Sequence, residues 1–507
     1  MKRRELFADA QRFVLFDLYG DDGRVNENVF AYSNAYHDER SMVFYNNSFE
    51  QAWGWIRGST QFVEKDAGGG RHSKQVVLGE ALGLHKDDSH FCLFHEQRSG
   101  HWFIRRSREL WEDGLFLHLN GYESQVFLDI HEVPENEFGH YGKLTDSLAG
   151  RSVPDMEHAL QEVVMEPLHR TVDAVIEAPA SRDILAAAVS DGEWPDLERS
   201  EGGLEALREA YRNFLSRAVS YCECAVDTET LTAEFESHLQ RMFRVLTELP
   251  APAAPAAPGS DAAPGGTGST ASDGGAGSAS GAGRGGEAEP PAPDGESADL
   301  AASLFSLAFV APLDGFVVRE EVSRSSKLAY LAESWLLPAR LQETLEAVLG
   351  SSLSANWQTR LRLLLAHLHW FGGAGSGPAP VEPPAALRSL LFDEGITEFL
   401  NVHSHEGVVW FNKERFDELA LWLYRTALFA TVLATADTGR QAELRTALNE
   451  TYSRWKELEE ASGYRVDLLL GEKASGEASA KKSSGKTTSA KRSSAKKKGG
   501  SGDAGKK

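Results

Sequence analysis

"RFVLFDLYGDDGRVNENVFAYSNAYHDERSMVFYNN", residues 12 to 47, decides the fold. "RFVLFDLYG" is an apolar, aromatic run that ends at "DDG", a hairpin-type turn, and "NENVFAYSN" follows as the next strand. "AYHDER" is a second turn and "SMVFYNN" the returning strand. The pattern continues outward from this stretch. In "EQAWGWIRGST", Trp53 and Trp55 point to one face if the segment is a strand, because side chains alternate with period two. "SKQVVLGEALG" follows a glycine-rich loop at Gly68–Gly70, "HFCLFHEQRSGHWFIRR" turns at Arg98-Ser99-Gly100, and "GLFLHLNGYESQVFLDIHEV" closes the series. Strands at this spacing, without intervening helices, predict an antiparallel sandwich or barrel.

From about Asp155 the apolar period becomes helical, in "DMEHALQEVVMEPLHRTVDAVIEA", "GLEALREAYRNFLSRAVSYCECAV" and "LTAEFESHLQRMFRVLTEL". Pro154 and Thr230 read as helix-start punctuation. Helical patterning resumes near Leu300 and runs to about Leu470, with "HEGVVWFN" as a short strand pair or an ordered loop. The fold class is therefore α+β and multi-domain. Residues 1–149 form a β-sandwich, 150–249 a helical region and 298–470 a second helical region, either joined to the first or separate. The Ala/Pro/Gly/Ser stretch 250–297 is a disordered linker and 471–507 a disordered basic tail, since neither supplies enough apolar surface to offset chain entropy.

The net charge of −23 is unevenly spread. Residues 471–507 hold eleven Lys or Arg against Glu472, Glu477 and Asp503, a net of +8, which leaves −31 on the rest. An acidic body argues against an extended nucleic-acid face, so a polyanion would be met through the tail alone. A tail that solubilises the protein or docks on its own acidic body is the favoured alternative. Three cysteines (Cys92, Cys222, Cys224) are too few for a disulfide framework and suggest a reducing, cytoplasmic setting. The start has no apolar leader core, and no run reaches the roughly 18 apolar residues of a spanning helix, so no membrane partner is expected.

Several short motifs suggest chemistry and carry little. Cys222-Glu-Cys224 lacks a second ligand pair at zinc spacing. His367 and His369 diverge on a helix, and "HSHE" at His403–Glu406 lacks the "H-E-x-x-H" spacing. "DAGGGRH", Asp66–His72, has no Lys-Ser/Thr or helix after it, so it is not a phosphate loop and reads as a flexible connection. No metal or cofactor is expected.

The strand region carries a resemblance. Val29–Asn34, the turn Tyr36–Arg40 and Met42–Asn47 look like the start of the C-terminal β-sandwich of α-amylase family glycoside hydrolases. "LNGYESQVFLD", Leu119–Asp129, is similar to that sandwich's closing strand, with Gly121 where proline is frequent. More closely, the chain resembles the region after the barrel in large bacterial amylase-like proteins that continue into a long helical extension. The resemblance implies that catalysis belongs to a (β/α)₈ barrel, whose "N-H-D" and "D-x-x-x-x-N-H" segments this chain lacks. "GYRVD", Gly463–Asp467, matches the family's nucleophile segment, but it follows a long helix and reads as a helix stop at Gly463. No catalytic residue is assigned. The expectation is a non-catalytic portion supporting a barrel carried on another chain or lost. The alternatives are a stand-alone carbohydrate-binding module for an α-glucan, or an interaction protein whose basic tail binds nucleic acid. Exposed aromatics at Tyr45, Trp53, Trp55 and Trp102 are the candidate carbohydrate-binding or interface residues, with packing favoured over sugar binding for the paired tryptophans.

Overall fold

The computed structural model describes residues 5–7, 12–65, 71–189, 201–248, 295–317, 324–367, 387–388, 390–432 and 435–471. The expected linker lies almost wholly outside these residues, as do the basic tail after Gly471, the Asp66–Gly70 loop and His369. The chain divides into two compact units built from interleaved stretches. Unit 1 comprises residues 1–187, 195–232 and 331–350, and unit 2 the remainder.

Unit 1 contains a single eight-stranded antiparallel sheet. Its strands are β1 (Val14–Tyr19), β2 (Val29–Tyr36), β3 (Glu39–Asn46), β4 (Ala52–Ser59), β7 (His90–Glu96), β8 (Trp102–Arg106), β9 (Leu115–Leu119) and β10 (Ser124–Pro134). The order across the sheet is β8-β7-β10-β3-β2-β1-β4-β9. The remaining two, β5 (Phe62–Lys65) and β6 (Arg71–Lys74), pair only with each other.

The hairpins of the opening stretch form as the turns predict, with β2 running antiparallel to β1 and to β3. The division into two stacked sheets does not appear, because β10 joins the two halves of the ladder. Its first residues pair with β3 and its later ones with β7, across a register shift between Leu128 and His131 where Asp129 takes a left-handed φ of 52°. Such a bulge bends the strand and carries the ladder round a corner. The sheet thus curls about one core that includes Phe16, Ala31, Phe44, Ile56, Leu117 and Phe127.

Helices do interrupt the strands, contrary to the sequence reading. Leu78–Ala81 interrupts the strand expected over Ser73–Gly83, and Ser107–Glu112 lies between β8 and β9. Leu78 and Leu110 from these short helices fill the same core.

Helix His140–Leu148 and helix Met156–Ile176 follow the sheet. Asp155 caps the second, its carboxylate accepting from the His158 N–H at 3.0 Å. Ala159, Met165, Leu168, Val172 and Ile176 line its buried face at helical spacing. Helix Leu337–Leu349 packs on it, with Arg340 and Thr344 both donating to Asp173. It begins after Leu336 at φ 52°, so the sequence's single run from Ser326 to Gly350 is two helices. The next helix starts at Thr228 rather than after Thr230, because Asp227 accepts from the Glu229 and Thr230 N–H groups.

Unit 2 is helical. Its helix Gly295–Val310 begins inside the segment expected as linker, and its side chains are buried almost all round. The stretch Glu296–Phe316 is long and apolar enough to cross a membrane by length and composition, and 83% of its most apolar 18-residue window is buried within the protein. Arg360, 4% exposed, bonds Asp299 at 2.7 Å and Glu418 at 3.1 Å and lies over the Trp422 ring at 4.2 Å. "HEGVVWFN" is a strand pair, β11 (His403–His405) with β12 (Val408–Trp410). Helix Thr438–Ser462 ends at Gly463 in the left-handed conformation, where the sequence placed its stop.

Candidate functional site

Strand β4 alternates as its sequence predicts. Ala52 and Ile56 enter the core, and Trp53, Trp55 and Arg57 stand on the outer face. Gly54 separates the tryptophans for a steric reason: a Cβ there would lie 2.2 Å from the Tyr19 carbonyl oxygen of β1. The two indoles share a face but not a setting. Trp53 is 49% exposed, and its Nε1 donates to Asp21 Oδ2 at 3.1 Å. Trp55 is half-buried, edge-on to Phe116 at 5.4 Å, with the Arg57 guanidinium 5.2 Å from its ring centre.

The Gly20–Gly23 turn divides the surface beside them into two concavities. One, of about 670 Å³, is lined by Tyr19, Asp21, Trp55, Arg57 and Gln75. The other, of about 620 Å³, takes Asp21, Asn26, Asn28, Gln51 and Trp53. Each combines an aromatic ring with carboxylate, amide or guanidinium groups, which is the lining that hydrogen-bonds and stacks against a polyol. Phe116 and Asp21 were not singled out from sequence. The "DDG" turn was a signal for Asp21, and the alternation of "GLFLHL" for Phe116.

The other candidates do not join this site. Tyr45 lies on β3, opposite Phe30, with its hydroxyl 3.4 Å from Asn47 Oδ1. Trp102 is on the far edge strand, separated from β4 in the ladder by β7, β10, β3, β2 and β1. It stacks on His95 at 4.7 Å, packs in a second core with Phe91, Leu93 and Ile104, and exchanges backbone hydrogen bonds with Val153. Trp102 is a packing residue here, not a platform.

A polar cluster sits where β7 begins. His85 Nδ1 is 2.6 Å from Glu132 Oε2, His90 Nδ1 is 2.8 Å from Asp87 Oδ1, and the imidazoles stack at 4.0 Å. The hydrogen bond that His85 donates to Glu132 raises the His85 pKa, and the bond with His90 lowers that of Asp87 to about 2. Burial pushes the Glu132 carboxyl up, yet hydrogen bonds from Ser107 and His85 outweigh it and hold it below its ordinary value. Ser107 Oγ donates to Glu132 at 2.5 Å rather than to a histidine, so the trio does not form a nucleophile–base relay.

In unit 2, His367 pairs with Asp393 at 3.1 Å, and His403 and His405 are exposed on β11. Among the described residues no group of three or more His, Cys, Asp and Glu is arranged to hold a metal ion. Asp467 of "GYRVD" pairs with Arg465 at 2.6 Å at the start of helix Val466–Leu469.

No protein-family model matches the chain, and no curated protein or solved structure is similar to it.

Proposed function

We propose that the curled N-terminal sheet is the supporting, non-catalytic domain of an α-amylase-like glycoside hydrolase, serving the role of that family's C-terminal β-sandwich. Its bare outer face packs on a (β/α)₈ barrel outside these residues. One observation carries the reading. Leu15, Phe30, Trp53 and Phe116 project outward from β1, β2, β4 and β9, and each is 39–49% exposed. Apolar side chains repeated across adjacent strands are what a covering layer buries, and such patches are uncommon on free surfaces. The sequence resemblance of Val29–Asn47 and Leu119–Asp129 supplies the nature of that layer. A cytoplasmic location goes with this reading, since Cys92, Cys222 and Cys224 are all free thiols.

The test is sedimentation velocity of the chain with and without any (β/α)₈ polypeptide found encoded beside it, using a Phe30→Arg/Phe116→Arg variant as control. Complex formation that the variant loses supports the reading, and unchanged sedimentation sinks it. Turnover of maltodextrin by the chain alone removes the non-catalytic part of the proposal.

A second reading, α-glucan binding by this face, is favoured by the two concavities that share Asp21 and place one indole in each. It requires tryptophan fluorescence to respond to maltoheptaose. Nucleic-acid binding by the tail rests on charge alone and requires retention on duplex DNA that falls steeply with salt.

A further inference from the structure

Unit 1 holds a pair of thiols that the proposed function does not use. Helix Glu201–Cys222 ends at Cys222, and the next residue, Glu223, takes a left-handed φ of 49°. Side-chain-bearing residues rarely adopt that conformation, which reverses the chain direction within one residue. Beyond that residue, the Cys224 side chain hydrogen-bonds the Cys222 thiol. Both side chains are only half-buried, so a small oxidant reaches them. Residues two apart have Cα atoms within about 7 Å, and disulfides span roughly 4.4–6.8 Å between Cα atoms. Chain reach does not oppose a bond.

We propose that Cys222 and Cys224 form a reversible intramolecular disulfide that locks the C-terminus of helix Glu201–Cys222. The oxidant is a peroxide. It takes the Cys224 thiolate to the sulfenic acid, and hydroxide leaves as water after protonation. The Cys222 sulfur then attacks the Cys224 sulfur, forming the S–S bond and expelling a second water. Two thiols are oxidised and one hydrogen peroxide is reduced to two waters. The order follows from environment: burial and the neighbouring Cys224 push the Cys222 thiol up to about 11, so it is not the first nucleophile.

The lock has a place to act. Tyr221 sits edge-on to Trp335 at 6.5 Å, and Trp335 also hydrogen-bonds the Cys222 sulfur. The Trp335 carbonyl accepts from His169 of helix Met156–Ile176 at 2.8 Å. A bond at the turn therefore stiffens the point where three helices of unit 1 meet. The third cysteine is an internal control. Cys92 is fully buried on β7, with its thiol pushed up to about 12 by burial.

The full chain, treated with stoichiometric hydrogen peroxide and then alkylated under denaturing conditions, tests this by peptide mass spectrometry. The expected result is a peptide carrying Cys222 and Cys224 two hydrogens lighter and unalkylated, restored by dithiothreitol, with Cys92 alkylated throughout. In Cys224→Ser, Cys222 stays a free thiol under the same dose. Alkylation of both cysteines after peroxide overturns the proposal. So does over-oxidation of Cys224 beside a free Cys222, a disulfide-linked dimer in place of the internal bond, or equal oxidation of Cys222 in Cys224→Ser.

Discussion

At the β7–β8 end of the sheet, Phe91, Leu93, Ile104 and Trp102 face outward and lie in a core with Leu144 and Met156 from the two helices that follow. At the β4–β9 end the same outward face carries Trp53 and Phe116, and both remain about half exposed. The strand chemistry is alike. Trp102 and Trp53 both stand outward from strands, and one became core only because helices His140–Leu148 and Met156–Ile176 fold back over it. The difference teaches that an aromatic on an amphipathic strand predicts a need for cover, not the identity of what covers it. The covered end meets that need within the chain, and at the other end the need is unmet among the described residues.

The largest expected effect breaks the comparison most directly. Phe91→Ala removes a ring at 0% exposure that packs on Tyr141 at 6.1 Å, and should cost about 3–5 kcal/mol of unfolding free energy. Phe116→Ala should cost less than about 1 kcal/mol, because half of its surface is already in water. Urea unfolding of the two variants measures both. Similar losses would mean that the outer face at β9 is as structural as the one at β7.

Gly54→Ala sharpens it next. The added Cβ meets the Tyr19 carbonyl oxygen at 2.2 Å, so β1 and β4 must part. A loss of roughly 2–3 kcal/mol is expected, with a changed near-ultraviolet circular dichroism from Trp53 and Trp55. An unchanged spectrum at full stability would show that the strand pair accommodates the methyl group.

A smaller effect is confined to the covered end and depends on pH. The hydrogen bond with His90 depresses the Asp87 pKa to about 2, so its contribution is present above the ordinary value of 3.8 and is lost as pH falls from there through 2. His85 has the opposite sign. The hydrogen bond it donates to Glu132 raises its pKa, so its contribution is full below 6.5 and is lost as pH rises through the higher folded value. Asp87→Asn should flatten the acid limb of the unfolding midpoint against pH, and His85→Gln the limb above 6.5. Each change should be small, since both groups are solvated. If either limb persists unchanged in its variant, the assignment of that limb is wrong.

The sheet was legible where the signal was local. "DDG" and "AYHDER" fix hairpins through two or three residues, and the alternation of "AWGWIRGS" fixes which face each tryptophan takes. What decides between one curled sheet and two stacked ones is not local. It depends on Asp129 leaving the strand conformation so that β10 turns from β3 to β7, and nothing in "QVFLDIHEV" marks that residue. In "HFCLFHE", Cys92 and Phe94 enter the main core while Phe91 and Leu93 enter the second. Gly121, where the resembling family favours proline, has its own demand: a Cβ there would meet the Phe49 carbonyl at 2.3 Å. The candidate site was half legible for the same reason. Trp53 and Trp55 are two residues apart in sequence, whereas Asp21 and Phe116 reach them only through the pairing of β4 with β1 and β9.

The smallest effect on stability should come from Trp53→Ala, and it is the most informative for function. The indole is half exposed and its one hydrogen bond is to Asp21 at the surface, so the unfolding free energy should change by less than about 1 kcal/mol. Binding is another matter, because exposed aromatics at the centre of a patch tend to carry interface energy. If the bare face is covered by a barrel, Trp53→Ala should weaken that complex at least tenfold, and Asp21→Ala should have a lesser effect. If it holds a glucan, Trp53→Ala and Asp21→Ala should weaken maltoheptaose binding to similar extents, since stacking and hydrogen bonding act on the same ring. A Trp53→Ala chain that sediments, binds and unfolds like the parent would leave the bare end with no role distinct from the covered one.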